Sequence, residues 1–281
     1  MTSPRTLLSA WNLHPKKQLG QNFLAEPSTA RMIIERAGIT PEDTVLEIGS
    51  GLGALTIPAA ARACRVIAVE TDRQIAGLLK TELLAAGTDN VDIVRDSILK
   101  VDIAHLAADE KRKLVVIGNL PFNISSQILV QLVNARAMVS RAVVMFQKEL
   151  AERLLAVPGN KVYGRITVML AYCAEIKTVA TIKARMFHPR PKVDSEVLEV
   201  CFRERIDRPA NDEAYLFQVI KAAFGKRRKT MKNALSLSQL GIDGSTAEKA
   251  LAAAEIDPVR RAETLTVDEF VHLSNILKTV L

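Results

Sequence analysis

The chain has 281 residues, 48% hydrophobic and 25% charged, the balance of an ordinary folded protein with room for one large domain and a small one. Its 38 Lys and Arg against 31 Asp and Glu leave a net charge of +7, which favours a polyanionic partner. Three dispersed cysteines (Cys64, Cys173, Cys201), four scattered histidines, no signal-peptide core and no apolar run of about 18 residues argue against a disulfide framework, a metal centre and a membrane span, so a cytoplasmic protein is expected.

Residues 1–15 mix polar and apolar side chains without a period and read as a loosely held arm. Residues 16–24 are more specific, with two cations, a glycine, two amides and an apolar pair. Such a segment can cover a ligand cleft, Asn22 hydrogen-bonding and Phe23 or Leu24 packing. It can equally be a solvated leader into the helix that Ser28 would cap ahead of Met32, Ile33 and Ile34. Residues 44–48 are a strand, followed at once by Gly49-Ser50-Gly51-Leu52-Gly53-Ala54 and an apolar helix through Ala61. Gly49 and Gly51 let a ligand approach the backbone near a helix N-terminus.

Residues 65–69 are the next strand and end in Glu70, a carboxylate placed to accept both ribose hydroxyls of an adenosine. Gly-x-Gly-x-x-Ala with an acid about 20 residues on also fits a dinucleotide site. Glu47 favours a different ligand, because a carboxylate just before the glycines would repel a pyrophosphate but suits the cationic methionyl end of S-adenosylmethionine. The pattern Glu-x-Gly-x-Gly-x-Gly resembles the first motif of class I methyltransferases, and on this loop alone both ligands stay open. Residues 91–95 give a third strand, ending in Asp96, which can accept from an adenine amine or cap the turn from Ile98.

Residues 114–117 are a short, mostly β-branched run that ends at Gly118 and reads as a buried parallel strand. It empties into Asn119-Leu120-Pro121-Phe122. Asn119 both donates and accepts, Pro121 stiffens the loop and Phe122 offers a flat apolar face. Such a set can hold a planar base by stacking while bonding its exocyclic amine, although Asn and Pro also make plain turns. The four residues resemble the Asn/Asp-Pro-Pro-Tyr/Phe signature of methyltransferases that modify exocyclic amino groups of bases. Gly49, Glu70, Asp96 and Asn119 thus fall at the carboxyl ends of four successive strands, where open α/β sheets bind ligands.

Residues 124–134 are a helix, 141–146 a fifth strand and 147–155 a helix; Tyr163-Gly164-Arg165 leads into an apolar helix over 166–172. Residues 177–183 and 197–202 alternate as an antiparallel pair closing the sheet. Between them, Arg185, Arg190 and Lys192 interleave with Phe187 on a loop stiffened by two prolines, which suits a flipped base and its flanking phosphates. Phe187 can equally be ordinary packing. A polar break at 209–212 divides residues 1–207 from a helical 208–281 with helices over 214–224, 230–237, 245–254 and 267–281. Lys226, Arg227, Arg228 and Lys229 form the densest basic stretch, a solvated face by default and a phosphate footprint beside base-directed chemistry.

Taken together, the segments Gln18-Leu-Gly-Gln-Asn-Phe-Leu24, Glu47-Ile-Gly-Ser-Gly-Leu-Gly53, Asn119-Leu-Pro-Phe-Asn-Ile-Ser125, Tyr163-Gly-Arg165, Phe187-His-Pro-Arg-Pro-Lys-Val-Asp-Ser195 and Arg227-Arg-Lys-Thr230 resemble the ribosomal RNA small subunit methyltransferase A family, the rRNA adenine N6,N6-dimethyltransferases. The resemblance implies an α/β class I S-adenosylmethionine-dependent methyltransferase, Rossmann-like, with a seven-stranded mostly parallel sheet and a small C-terminal all-helical domain. It implies that Asn22, Leu24, Gly49, Glu70, Asp96 and Asn119 contact S-adenosylmethionine, that residues 119–122 with Phe187 hold the target base, and that no metal takes part. The implied substrate is a pair of adjacent adenosines in a hairpin loop near the 3′ end of small-subunit rRNA, within the assembling 30S particle, met by a monomer. Many bacterial members carry Tyr where this chain has Phe122; stacking survives that change and a phenolic hydrogen bond does not. The Asn119 side-chain oxygen and the Leu120 or Pro121 carbonyl are expected to accept the two N6 hydrogens. Rival readings are a 23S rRNA adenine methyltransferase, a non-catalytic ribosome-assembly factor and an NAD oxidoreductase; the last leaves residues 119–122 and the basic tail unexplained.

Overall fold

The computed structural model describes residues 2–108, 110 and 112–280. In chain order its elements are α1 (Pro4–Ala10), β1 (Phe23–Leu24), α2 (Pro27–Arg36), β2 (Thr44–Ile48), α3 (Thr56–Ala60), β3 (Arg65–Val69), α4 (Arg73–Ala85), β4 (Val91–Val94), α5 (Ile103–Ala107) and β5 (Leu114–Asn119). There follow α6 (Ser125–Asn134), β6 (Val139–Gln147), α7 (Lys148–Leu154), α8 (Arg165–Cys173), β7 (Ala174–Ile182), β8 (Phe187–His188), β9 (Ser195–Phe202), α9 (Glu213–Gly225), α10 (Met231–Ser236), α11 (Gly244–Ala253) and α12 (Val267–Val280).

Seven strands form one sheet in the order β4-β3-β2-β5-β6-β9-β7. β2 runs parallel to β3 and β5, β3 to β4, and β5 to β6, whereas β9 is antiparallel to β6. Parallel strands covered by helices must be apolar on both faces, and Val45, Leu46, Ile48 and residues 114–117 are all buried. Each such side chain stabilises the fold by about 1.5–3 kcal/mol relative to exposure. The chain steps outward from β2 to β4, then returns to start β5 on the other side of β2, so the strand order reverses between β2 and β5. Gly118 permits their close approach there, since a Cβ would lie 2.5 Å from the Ile48 carbonyl oxygen.

Two compact units result, Met1–Ala151 with Ile176–Phe202, and Glu152–Glu175 with Arg203–Leu281. The first holds nearly the whole sheet. The second is helical, and its core includes Leu216, Ile220, Phe270 and Leu277. Residues 152–175, which a single cut at 207/208 assigns to the first domain, lie with this helical unit. The cause is α8, buried along nearly its whole length and therefore in need of cover on more than one side. α9 and α12 pack on it, and the Tyr172 ring meets Phe217 edge-on at 6.0 Å.

The arm of residues 1–15 is more ordered than its sequence suggests. Ser3 caps α1 by accepting from the Thr6 N–H at 3.2 Å, and Leu7 and Leu8 bury against Phe23, Leu52, Ile75 and Leu78. A helix of 7 residues, about two turns, is too short for a period to show. Ser28 does not cap α2: Pro27 opens that helix after Glu26, and the Ser28 hydroxyl donates to the Glu26 carboxylate at 3.0 Å.

Candidate active site

A cleft opens at the carboxyl ends of β2 to β5, where the strand order reverses. About 980 Å3 of space free of atoms lies within it, open solvent included. Asn22, Leu24, Gly49, Gly51, Glu70, Asp96 and Asn119 all line it. The glycine turn is tight. Gly51 has φ +55°, and a Cβ on it would come within 3.2 Å of the Phe23 ring.

Glu70 is held from two sides, Oε2 accepting from the Gly51 N–H at 2.9 Å and Oε1 from the Asp72 N–H at 2.8 Å. Burial raises its pKa and these bonds oppose the rise. Each oxygen retains a second lone pair for a hydroxyl donor. Glu47 is only 1% exposed. Burial pushes its carboxyl up to about 8; the neighbouring Thr56 hydroxyl pulls the other way, and the Glu70 charge adds to the rise. Among the described residues, Glu47 Oε2 and the Ser50 hydroxyl have no hydrogen-bond partner. A buried carboxyl with an unpaired oxygen beside a cleft is completed by a cationic ligand group, which favours its ionised form, and gains nothing from a pyrophosphate. These acceptors fit S-adenosylmethionine, whose cationic methionyl end would suit Glu47 and whose ribose hydroxyls would suit Glu70. Asp96 is exposed and does not cap a helix. Its Oδ1 accepts from the Ser97 N–H at 2.7 Å, and Oδ2 is left for an amine.

The loop that follows β5 is built around Asn119. Its Nδ2 donates to the Asn22 carbonyl at 2.8 Å, which turns Oδ1 into the free end of the amide. Asn22 serves here through its backbone, because its own amide donates to the Gly20 carbonyl at 3.1 Å. The Pro121 carbonyl already accepts from the Ile124 N–H at 3.2 Å and the Ser125 hydroxyl at 2.8 Å. The Leu120 N–H bonds the Met145 carbonyl at 3.2 Å, fixing that peptide. Phe122 is half-buried.

Phe187 lies in the core. It is only 5% exposed and belongs to the apolar cluster of Leu24, Ile33 and Val197, with Leu24 directly opposite it in the β1–β8 pair. Its ring packs within that cluster. Arg185, Arg190 and Lys192 are exposed on the surrounding loop. The base of that loop is closed by Asp194, which accepts from the Ala184 N–H at 2.9 Å and from Lys183 Nζ at 3.0 Å. In the helical unit Lys226, Arg227, Arg228 and Lys229 are all exposed, and Arg227 donates to the Lys161 carbonyl. Sequence reasoning passed over Asp72, Lys16 and Gln21, which meet at one carboxylate oxygen; nothing local marks a contact between residues more than 50 positions apart.

Residues 12–279 match the family model described as ribosomal RNA adenine dimethylase. The chain is 51% identical to the ribosomal RNA small subunit methyltransferase A of Desulforapulum autotrophicum, over 99% of this chain and 97% of that one. It is 44% identical to the protein of the same name from Moorella thermoacetica, over 95% and 93%. Among solved structures, a dimethyladenosine transferase from Plasmodium falciparum superposes with a TM-score of 0.74 at 26% identity, covering 89% of this chain and 95% of that one. The 23S rRNA methyltransferase ErmE superposes at 0.65 and 25% identity, covering 92% and 100%.

Proposed function

The chain belongs to the ribosomal RNA adenine dimethylase family and is an S-adenosylmethionine-dependent rRNA methyltransferase, and from that premise we propose that it dimethylates N6 of two adjacent adenosines in the 3′-terminal hairpin loop of small-subunit rRNA. The substrate is the assembling 30S particle, the enzyme acts as a monomer in the cytoplasm, and S-adenosylhomocysteine is the by-product. The sheet unit carries the chemistry; the helical unit, with Lys226 to Lys229 exposed, grips RNA phosphates.

The observation that carries this reading is the orientation of Asn119. Its amide nitrogen is committed to the Asn22 carbonyl, so the side-chain oxygen is the group that meets an incoming N6 hydrogen. The second acceptor is the Leu120 carbonyl, because two protein donors already occupy that of Pro121. Two acceptors draw the exocyclic nitrogen from planar toward tetrahedral and aim its lone pair into the cleft. S-adenosylmethionine supplies a methyl group already activated by its sulfonium, so positioning provides most of the rate and no strong base is needed. The second transfer has one N6 hydrogen fewer and uses one acceptor. Phe122 stacks on the ring. Leu24 lines the cleft on the arm side, and the buried Phe187 packs with it.

The test is transfer of labelled methyl groups from S-adenosylmethionine to immature small subunits lacking the modification, with large subunits as control. N6,N6-dimethyladenosine confined to the small-subunit RNA is the expected product. Label in the large subunit instead would overturn the substrate, and binding of cofactor and subunit without transfer would overturn the enzyme.

A further inference from the structure

Asp72 is a buried acid beside the cleft that the chemistry above leaves without a task, at 5% exposure. Capping α4 uses one of its oxygens, Oδ1, which accepts from the Gln74 N–H at 3.1 Å. The other oxygen turns to the arm. Lys16 Nζ lies 2.8 Å from Oδ2, and Gln21 Nε2 donates to it at 3.0 Å. Gln21 in turn accepts from the Lys16 N–H at 2.8 Å, so the two arm residues are also tied to each other. On its opposite side, the Asp72 N–H is the one that holds Glu70 Oε1. Burial pushes the Asp72 carboxyl up, but the Lys16 and Gln21 bonds outweigh burial and keep it below its ordinary range.

A helix cap needs only Oδ1. Two further donors from the arm, one of them charged, make Oδ2 a junction between distant parts of the chain. Beyond that junction the arm continues into Asn22, whose carbonyl orients Asn119, and into Phe23, whose ring fills the space a side chain on Gly51 would take. We propose that Asp72 is a positioning residue that latches residues 16–24 over the cleft, coupling closure of the arm to occupation of the site at Glu70. The latch rests on the reading that the cleft holds S-adenosylmethionine. Coupling of this kind is reciprocal: a ligand that favours the closed arm is itself held more tightly by whatever closes it.

The experiment is calorimetric titration of S-adenosylhomocysteine into the full chain and into Asp72→Asn, Lys16→Met and the double variant. Asn keeps an acceptor for the Gln74 N–H, so α4 remains capped, while it faces Gln21 with an amide and removes the charge that Lys16 pairs with. Lys16 does not line the cleft, so its loss reaches the ligand only through the latch. Binding should weaken about tenfold in Asp72→Asn and about threefold in Lys16→Met, with the double variant no weaker than Asp72→Asn. Limited trypsin digestion adds a readout that lost stability alone would not move. Ligand should slow cleavage after Lys16 and Lys17 in the native chain and fail to do so in Asp72→Asn. Affinity in Asp72→Asn within about twofold of native, or additive effects of the two substitutions, overturns the latch. A native chain that binds no S-adenosylhomocysteine overturns the cofactor reading and the latch with it.

Discussion

The two ends of the cleft are made differently. At the cofactor end, backbone N–H groups of Gly51 and Asp72 clamp Glu70, and Glu47 is sealed from water with an oxygen unpaired. At the end where the base is proposed to bind, one side-chain oxygen, one carbonyl and a half-buried ring stand at the mouth of a loop. A small cofactor can be read by groups fixed before it arrives, and fixing them lowers the cost of binding. A nucleotide that must leave its stack needs an open door, and its recognition is correspondingly sparse.

The sharpest way to test that contrast is to remove the two aromatic rings separately. Phe187→Ala should cost about 3–5 kcal/mol of stability, as for other buried aromatics, read as a lowered urea midpoint. Asn119→Ala should leave the fold intact and reduce single-turnover methyl transfer by about 10²–10³, the loss typical of one oriented polar group at a reacting centre. Near-native transfer in that variant would break the base-end assignment. Phe122→Ala should move the urea midpoint little but lower kcat/KM for RNA by about tenfold, within the range of a lost base-stacking contact.

The cofactor end carries a pH signature. Folded Glu47 keeps its proton to about pH 8, whereas a free carboxyl releases it near 4.5. Between those values the unfolded chain binds fewer protons, so stability falls as pH rises, by at most about 1.4 kcal/mol per pH unit for one group. Glu70, also raised, slopes the same way. Glu47→Gln should flatten the fall in urea midpoint between about pH 5.5 and 6.5 while weakening S-adenosylhomocysteine binding. A slope unchanged by Glu47→Gln would show that this carboxyl is not the buried acid described. The smallest effect is expected in the helical unit: replacing Lys226 to Lys229 with Ala should reduce the salt slope of RNA binding by about 0.7 per lost phosphate contact and leave cofactor affinity unchanged.

Much of this site was legible in the sequence, for a physical reason. Parallel strands buried on both faces announce themselves as apolar runs, and the residue after each run stands at the rim of the sheet. Glu70, Asp96 and Asn119 were found that way, and all three line the cleft. What escaped depends on contacts between segments far apart in the chain. Phe187 in its basic loop reads equally as a stacking ring or as packing, and its pairing with Leu24 is not visible in the local pattern. Asp72 looks like any helix cap until Lys16 and Gln21 arrive at its second oxygen. The assignment of residues 152–175 to the helical unit turns on the cover α8 finds there, which no local pattern encodes.

Helix α1 has a practical consequence. Thr2 and Pro4 border the cleft, and Leu7 and Leu8 anchor that border to Leu52 just behind the glycine turn. An affinity handle fused ahead of Thr2 therefore enters the molecule at the lip of its own binding site. Material prepared in that way would compete with its ligand through its handle. Purification sequences belong at the other end of the chain, or behind a protease site that is cut before any titration begins.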